Sequence, residues 1–494
     1  MMNDEAPCAV EGIVCRDREQ YPVGAVGSPF RTVSAGCLLL AALLLFTGCG
    51  VIVRGAFKGG ESVVELFYQG RHGSLTEQEK TWAKIAWSYF KNNHNPNTGV
   101  VGAVDKYPSV TMWHVADYLA ALVSAHELEL ISRDEFDQRM SVTLHFLNTM
   151  ELFEGKLPNK VYHAQTGAMV NYENKPEGIG WSAVDIGRLL VWLEIVKCMY
   201  PVYEEYVDAV VLRWSFCDIV DSSGGLLSAA KVNEKVQLYR EKRLGYEQYA
   251  AKGFQAWGFD TTQAFRQLSM QDSAKIYGIE IPIDSRNPEE SGTYSPVLST
   301  GFLLDGMEFN WDLPVAGYNS DRSHGDTVMA HLAEAIYKVQ EARYENEHIL
   351  TARTDHQLGD PPYFVYDSIF AAGYPWNVIS DAGEYQREAS VVATKAAFGM
   401  WVLWKTPYTS KLIEAVASLH DGERGWYEGR REKTGGYLYV ITCSTNSSVL
   451  ESLLYKVRGR LMRCSREQDS YYRAIRDPFR LQGRCFPFER ECKK

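Results

Sequence analysis

From residue 76 onward the apolar residues recur mostly at three- and four-residue spacing, the period of a helix with one buried face. The pattern predicts helices over 81–93, 111–126, 134–151, 183–198, 203–220, 247–257, 326–343, 388–404, 410–419 and 446–457. In 183–198, for example, Ile186, Leu189, Leu190, Leu193 and Val196 share a face. Strand-like alternation is scarce. The helices are separated by stretches rich in Gly, Pro, Asn and aromatic residues at 94–108, 157–181, 287–326 and 355–383. Loops of that length in a compact domain tend to carry function. Helices of ~12–18 residues joined by alternating short turns and long loops predict stacked helical hairpins. The expected class is therefore all-α. If the hairpins close on themselves over 76–456, the architecture is an (α/α)6 toroid whose long loops form a cleft at one end.

The amino-terminal part follows another pattern. Residues 38–46 read LLLAALLLF, preceded by Arg31 and followed by Thr47, Gly48 and Cys49. The run is too short to span a bilayer as a folded helix and matches the apolar core of a signal peptide. A Cys directly after small residues resembles the acceptor of lipoprotein signal peptides. That resemblance implies lipidation of Cys49, an amino terminus starting there, and a tether over 49–75. Gly50 stands where an Asp typically retains such lipoproteins in the inner membrane. The implied address is thus the outer membrane, facing the periplasm. Residues 1–30 are long and mixed in charge for a signal region, and a start at Val26 or Val33 would account for them.

Composition narrows the rest. The net charge is −11, with no basic footprint for nucleic acid, and 46% hydrophobic content is that of a globular chain. Ten cysteines show no CxxC or Cys/His pairing, so no structural zinc site is expected. Cys198 and Cys217 read as two buried thiols, a disulfide between them being the alternative in an oxidising compartment. Residues 93–99 (NHNPNTG) are too poor in carboxylates to argue for calcium. No metal or cofactor is assigned. Residues 456–494 hold twelve Lys/Arg against five Asp/Glu, and the segment 457–494 reads as a basic, weakly ordered tail. All twelve Trp lie between Trp82 and Trp426; flat rings suit sugar faces, but a large core accounts for most of them.

Longer motifs are more specific. They are PNKVY at 158–162, GWSAVDIGRLL at 180–190, YEQYAA at 246–251, PYFVYD at 362–367, TKAAF at 394–398 and GWYEG at 425–429. Together they resemble a bacterial family of unknown function, DUF3131, over roughly 76–456. That family is similar in layout to six-hairpin glycosidases, including the endo-β-1,2-glucanases of glycoside hydrolase family 144. The resemblance implies a sugar cleft near Ser182–Gly187. Trp113-His114 stands where the family pattern leads one to expect Trp-Asp.

Glycoside hydrolysis needs two carboxyl groups across a cleft, one to protonate the leaving oxygen and one to activate water or attack the sugar. Carboxylates at helix–loop borders are the candidates. Asp185 and Glu247 each open a helix, where capping is the plainer role. Tyr246 and Tyr249 flank Glu247 and would raise its pKa by excluding water. Asp367 follows Tyr363 and Tyr366, and Glu428 follows Trp426 and Tyr427 in a Gly-bounded turn. Glu308 lies in a segment read as loop. Trp181, Tyr246, Tyr249, Trp257, Tyr363 and Trp426 are candidate sugar-binding aromatics. Arg188 and Lys395 are partners that would keep a carboxylate ionised. His114 reads as a polar core or surface residue.

The sequence thus supports an envelope-anchored glycoside hydrolase or transglycosylase acting on a β-linked glucan or exopolysaccharide. The alternative is a non-catalytic polysaccharide-binding lipoprotein. Its partners are then a polysaccharide and, through the anchor, a membrane.

Overall fold

The structure, a computed structural model, describes residues 70–494 except 242, 267–271, 284–293, 295, 313–327, 464–469, 477–482 and 488–494. The apolar run 38–46, Cys49 and the tether up to residue 69 lie outside the described residues. No helix among the described residues is long and apolar enough to cross a membrane.

The described helices are α1 (Glu77–Asn93), α2 (Met112–Glu127), α3 (Arg133–Thr149), α4 (Ala183–Met199), α5 (Glu204–Leu212), α6 (Tyr246–Ala256) and α7 (Thr262–Arg266). They continue as α8 (Thr300–Phe309), α9 (Val328–Glu347), α10 (Thr394–Leu403), α11 (Pro407–Val416), α12 (Cys443–Arg458) and α13 (Ser470–Ile475). Packing sorts α1 to α12 into two layers. Helix α2 packs on α4, α4 on α6, α6 on α8, α8 on α10, α10 on α12, and α12 back on α2. Helices α1, α3, α5, α7, α9 and α11 each lie against members of that inner cycle. Sequence explains the sorting: α10 is buried at all ten of its residues, whereas α3 buries six of seventeen. A helix apolar all round needs protein on every side, and one with a single stripe needs only one neighbour.

Two glycines let α4 and α6 approach closely. A Cβ at Gly187 would meet the Ala250 Cβ at 2.5 Å, and one at Gly253 would meet the Gly187 carbonyl oxygen at 2.1 Å. The start of α4 is fixed by Ser182, whose hydroxyl accepts the Asp185 amide at 3.3 Å.

The all-α expectation needs correction, because small antiparallel sheets decorate the helices. They include the hairpin Leu227–Val232 with Lys235–Arg240, the sheet of Asp355–Gln357, Phe364–Asp367 and Val378–Ser380, and a four-stranded sheet of Val391–Ala393, His420–Asp421, Gly425–Arg431 and Tyr437–Ile441. Gly425–Arg431, seven residues long, is buried at Gly425, Trp426, Glu428 and Gly429 without strict alternation, so its sequence carries no period-two signal. Boundaries shift accordingly. The helix expected over 388–404 starts at Thr394, because Val391–Ala393 pairs with the strand at Gly429–Arg431. The one expected over 203–220 stops at Leu212. The segment 287–326, read as a loop, contains α8.

The two ends of the domain are tied down. Arg71 donates to the carbonyl of Trp404 at 2.7 Å and to the Ser410 hydroxyl at 2.9 Å. In the basic tail, Tyr471, Ile475 and Phe486 are buried, and the Tyr471 hydroxyl donates to the Trp257 carbonyl at 3.1 Å. The Phe216 amide donates to the Arg484 carbonyl at 2.8 Å, which brings the neighbouring Cys217 and Cys485 together as a disulfide, their Cα atoms 5.0 Å apart. Cys198 is also disulfide-bonded. The reading of Cys198 and Cys217 as buried thiols, or as each other's partners, is corrected.

Candidate active site

The amino-terminal turns of the inner helices supply one group of side chains. His114 is the third residue of α2, Asp185 the third of α4, Tyr246 the first of α6, Thr300 the first of α8, Lys395 the second of α10 and Ser444 the second of α12. Most of them are linked in a circuit. Asp185 and His114 lie within each other's electrostatic reach, and Lys395 lies within that of His114. The Lys395 ammonium pairs with Asp355 at 2.9 Å. Asp355 accepts the Tyr246 hydroxyl, the Thr354 hydroxyl at 3.0 Å and, more weakly, the Thr300 hydroxyl at 3.4 Å. Arg243, 5.8 Å from the Tyr246 ring, returns the circuit to Asp185. His114, Asp185, Asp355 and Arg243 are only part-buried, so this mouth of the ring is open to solvent.

The two aspartates are driven in opposite directions. Burial raises the pKa of Asp185, against the opposing pull of Ser182, which donates at 2.8 Å, and of Arg243 and His114. Burial also acts to raise Asp355, but Lys395 and the Tyr246 hydroxyl outweigh it and bring it down to about 2. At neutral pH Asp355 is an anion, and Asp185 is the more readily protonated of the two. The Thr111 amide, which can only donate, points at His114 Nδ1 at 3.4 Å. The Thr111 hydroxyl lies closer to the same nitrogen, at 2.9 Å, and can either donate to it or accept from it; burial lowers the imidazole pKa, favouring its neutral form. Trp113 is half-buried, 5.6 Å from the Tyr246 ring, with the Arg188 guanidinium 5.0 Å from its ring centroid. It is an aromatic platform at the mouth.

Beneath lies a closed ionic cluster. Arg188 is fully buried and contacts Asp117 at 2.7 Å, Glu308 at 3.0 Å and Glu451 at 3.3 Å. The Tyr249 hydroxyl and Trp192 indole donate to Glu308 at 2.6 and 2.8 Å. Burial and the Glu308 charge push Glu451 well up. These groups bind the inner helices together and are shut off from a ligand.

The sequence-selected residues divide cleanly. Asp185, Tyr246 and Lys395 are at the mouth. Arg188 and Tyr249 belong to the buried cluster, and Arg188 pairs with Asp117 rather than Asp185. Glu308 is in α8, not a loop. Glu247 is buried at 1% exposure one residue into α6. Glu428 is buried too, accepting the Thr445 hydroxyl at 2.5 Å, the Thr442 hydroxyl and the Gln357 amide at 3.0 Å. Asp367 is enclosed by Arg353 and the Val391 amide at 2.8 Å. Trp181, Trp257 and Trp426 are at most 1% exposed and are core side chains whose indoles donate to backbone carbonyls. Tyr363 is 58% exposed, in a turn bonded to Asp360 and Leu358. Sequence reasoning missed Asp355, Arg243 and Trp113. Only Trp113 carried a signal, as half of the Trp113-His114 pair.

The profile of "Protein of unknown function (DUF3131)" matches residues 81–459. The chain belongs to this family. No curated protein matches it. Among solved structures, the fold is similar to a putative glucoamylase from Bacteroides caccae, at 14% identity and TM-score 0.54, covering 78% of this chain and 94% of that one. A second putative glucoamylase, from Bacteroides fragilis, aligns at 14% identity and TM-score 0.53 over 79% and 93%. An endo-β-1,2-glucanase from Chitinophaga pinensis, in complex with sophorotriose and glucose, aligns at 13% identity and TM-score 0.52 over 78% and 94%. This DUF3131 chain therefore shares the helix-rich fold of these three proteins.

Proposed function

We propose that this protein is a glycoside hydrolase that cuts a β-linked glucan or exopolysaccharide at the open end of a complete (α/α)6 toroid. The observation that carries the reading is the pair Asp185 and Asp355: two carboxyl groups at one mouth whose surroundings push their pKa values apart. Such divergence is how one site holds an acid and a base at the same pH. Asp185 gives its proton to the glycosidic oxygen as the bond to the anomeric carbon breaks. A water oxygen bonds that carbon, and its proton passes to Asp355. Trp113 stacks on a sugar ring, and Tyr246 and Lys395 fix Asp355. The similarity of fold to the β-1,2-glucanase and the putative glucoamylases supports the substrate class.

The same proposal extends to location: Cys49 is lipidated and the domain faces the periplasm. The Cys217–Cys485 disulfide supports an oxidising compartment. Mass measurement of the amino-terminal peptide from membranes tests it; an unmodified Cys49 in the mature protein would remove the anchor.

The central test incubates purified protein with β-1,2-, β-1,3- and β-1,4-glucans and bacterial exopolysaccharides and follows new reducing ends. Asp185→Asn and Asp355→Asn should each lower cleavage by about a hundredfold or more, the usual scale for an acid–base group, with binding retained. Full activity in both variants would defeat the assignment. Binding without cleavage on every polymer would make the protein a binder.

A further inference from the structure

We propose that the polysaccharide handled at this mouth carries carboxylate groups, as uronic acids or as acyl substituents that end in a free carboxylate, and that Lys160 and Arg243 hold one of them beside Asp185. The inference rests on the glycan-handling reading above and adds the charge of the substrate to it.

Lys160, the middle residue of the PNKVY motif, has no place in the hydrolytic machinery just described. Its amide donates to the Gly180 carbonyl at 2.8 Å, which pins it against the turn that leads through Ser182 into Asp185. Its side chain is half-buried, and among the described residues its ammonium makes no hydrogen bond or ion pair. Among the described residues, the charged groups within its electrostatic reach are Asp185, Arg243 and Glu241. Burial and the like charge of Arg243 both disfavour its protonated form. A cation kept half out of water next to another cation is a standing cost unless a ligand offsets it.

Arg243 is committed on one edge only. Its Nε and Nη2 grip Glu241 at 2.8 and 2.7 Å, and its amide donates to the same carboxylate at 3.1 Å. Nη1 has no partner among the described residues, and the side chain is 32% exposed. Glu241 therefore balances one of the two cations. Asp185 balances neither while it holds the proton that an acid must deliver. Asp381 lies in the field of Arg243 but not in that of Lys160, is bonded to Tyr366, and is open to water. An ammonium and a free guanidinium edge within each other's electrostatic reach match the two oxygens of a carboxylate; a neutral glucan offers only hydroxyls, which need no cation. The amino-terminal ends of the inner helices, gathered at the same mouth, favour the same sign of ligand.

The experiment uses the full-length protein and two polymers that differ only in charge: a neutral β-glucan, and the same glucan after selective oxidation of its primary hydroxyls to carboxylates. Affinity is measured by calorimetry and cleavage by reducing ends. Wild type should prefer the carboxylated polymer by about tenfold or more, the scale of a charge-assisted hydrogen bond, and added salt should erode the preference. Lys160→Met should cut that preference about tenfold and Lys160→Arg should restore most of it, with melting temperatures confirming that both variants fold. Equal handling of the two polymers, or a preference unaffected by Lys160→Met, overturns the inference while leaving a glycosidase in place. Selective binding of the carboxylated polymer without cleavage upholds it and removes only the catalytic step. Binding of neither polymer overturns it together with the reading beneath it.

Discussion

Asp355 shows how one residue can be tuned by its contacts against the effect of its burial. Its carboxylate is 16% exposed and is held by an ammonium and by hydroxyls of Tyr246, Thr354 and Thr300. With a folded pKa of about 2 against an ordinary carboxylate near 3.9, the unfolded chain takes up the proton first as pH falls. Stability from this group is then complete above about pH 4 and is lost as pH falls towards 2, a change of about 2 kcal/mol. Urea unfolding of wild type between about pH 5 and pH 2 should show that loss, and Asp355→Asn should flatten it. The variant should also be less stable at neutral pH by about 3 kcal/mol, because Lys395 would be left buried without its counter-ion. An unchanged acid slope in the variant would mean that Asp355 is not the group responsible. Asp185 has the reverse sign. In the proposed mechanism its protonated form is the active one, so the rate should fall as pH rises through its elevated pKa.

At the scale of elements, the contact between α4 and α6 is set by Gly187 and Gly253 rather than by large side chains. Gly187→Ala places a methyl 2.5 Å from the Ala250 Cβ and 2.7 Å from its carbonyl oxygen, and backbone cannot swing aside as a flexible side chain can. The helices must separate, and the expected cost is about 1–3 kcal/mol, the range for overpacking a core. Because Asp185 and Arg188 ride on α4, activity should fall along with melting temperature; a variant as stable as wild type would show that the inner ring yields easily. Helix α4 was legible from sequence to within one residue, because the seventeen mostly apolar residues between Ser182 and Tyr200 leave few alternatives. Helix α8 was not. Its ten residues sit between stretches of Asn, Pro, Gly and Ser, and it is read as loop because its neighbours dominate the window. The same reasoning divides the site. Asp185 and Tyr246 were found because a helix start places its first-turn residues at a known end of the element, whereas Lys395 was picked only as a carboxylate partner, inside a helix expected to begin at 388. Asp355 lies in a three-residue strand, where nothing local tells it from any other Asp. Trp181, Trp257 and Trp426 were misassigned because the features that suit a ring to a sugar suit it equally to a core. Whether a ring keeps a solvent face is decided by tertiary packing.

Across the whole molecule, the carboxyl-terminal segment closes the chain back onto the outer layer 268 residues earlier, through Cys217 and Cys485. The anchor is more than covalent. Phe486 is fully buried, 5.4 Å from the Phe216 ring and 6.4 Å from that of Phe259, and an Arg484 guanidinium nitrogen donates to the Leu212 carbonyl at 2.6 Å. A cross-link over so long a loop removes much freedom from the unfolded chain, and losing a native one typically costs about 2–5 kcal/mol. Cys485→Ser should therefore lower the melting temperature by several degrees, about 2–4 °C per kcal/mol for a domain this large or somewhat less. Reductant alone is the weaker test, since it also opens the disulfide of Cys198. Cys443, the free cysteine among the described residues, is buried in α12 and is poorly placed to exchange with the opened thiol. The candidate mouth is built from α2, α4, α6, α8, α10 and α12, whereas the bridge joins the tail to the segment after α5. Cys485→Ser measured well below its melting point should thus leave glycan binding near wild type while shortening the lifetime of the folded state. Equal melting of variant and wild type would show instead that the basic tail contributes nothing to the fold it is stapled to.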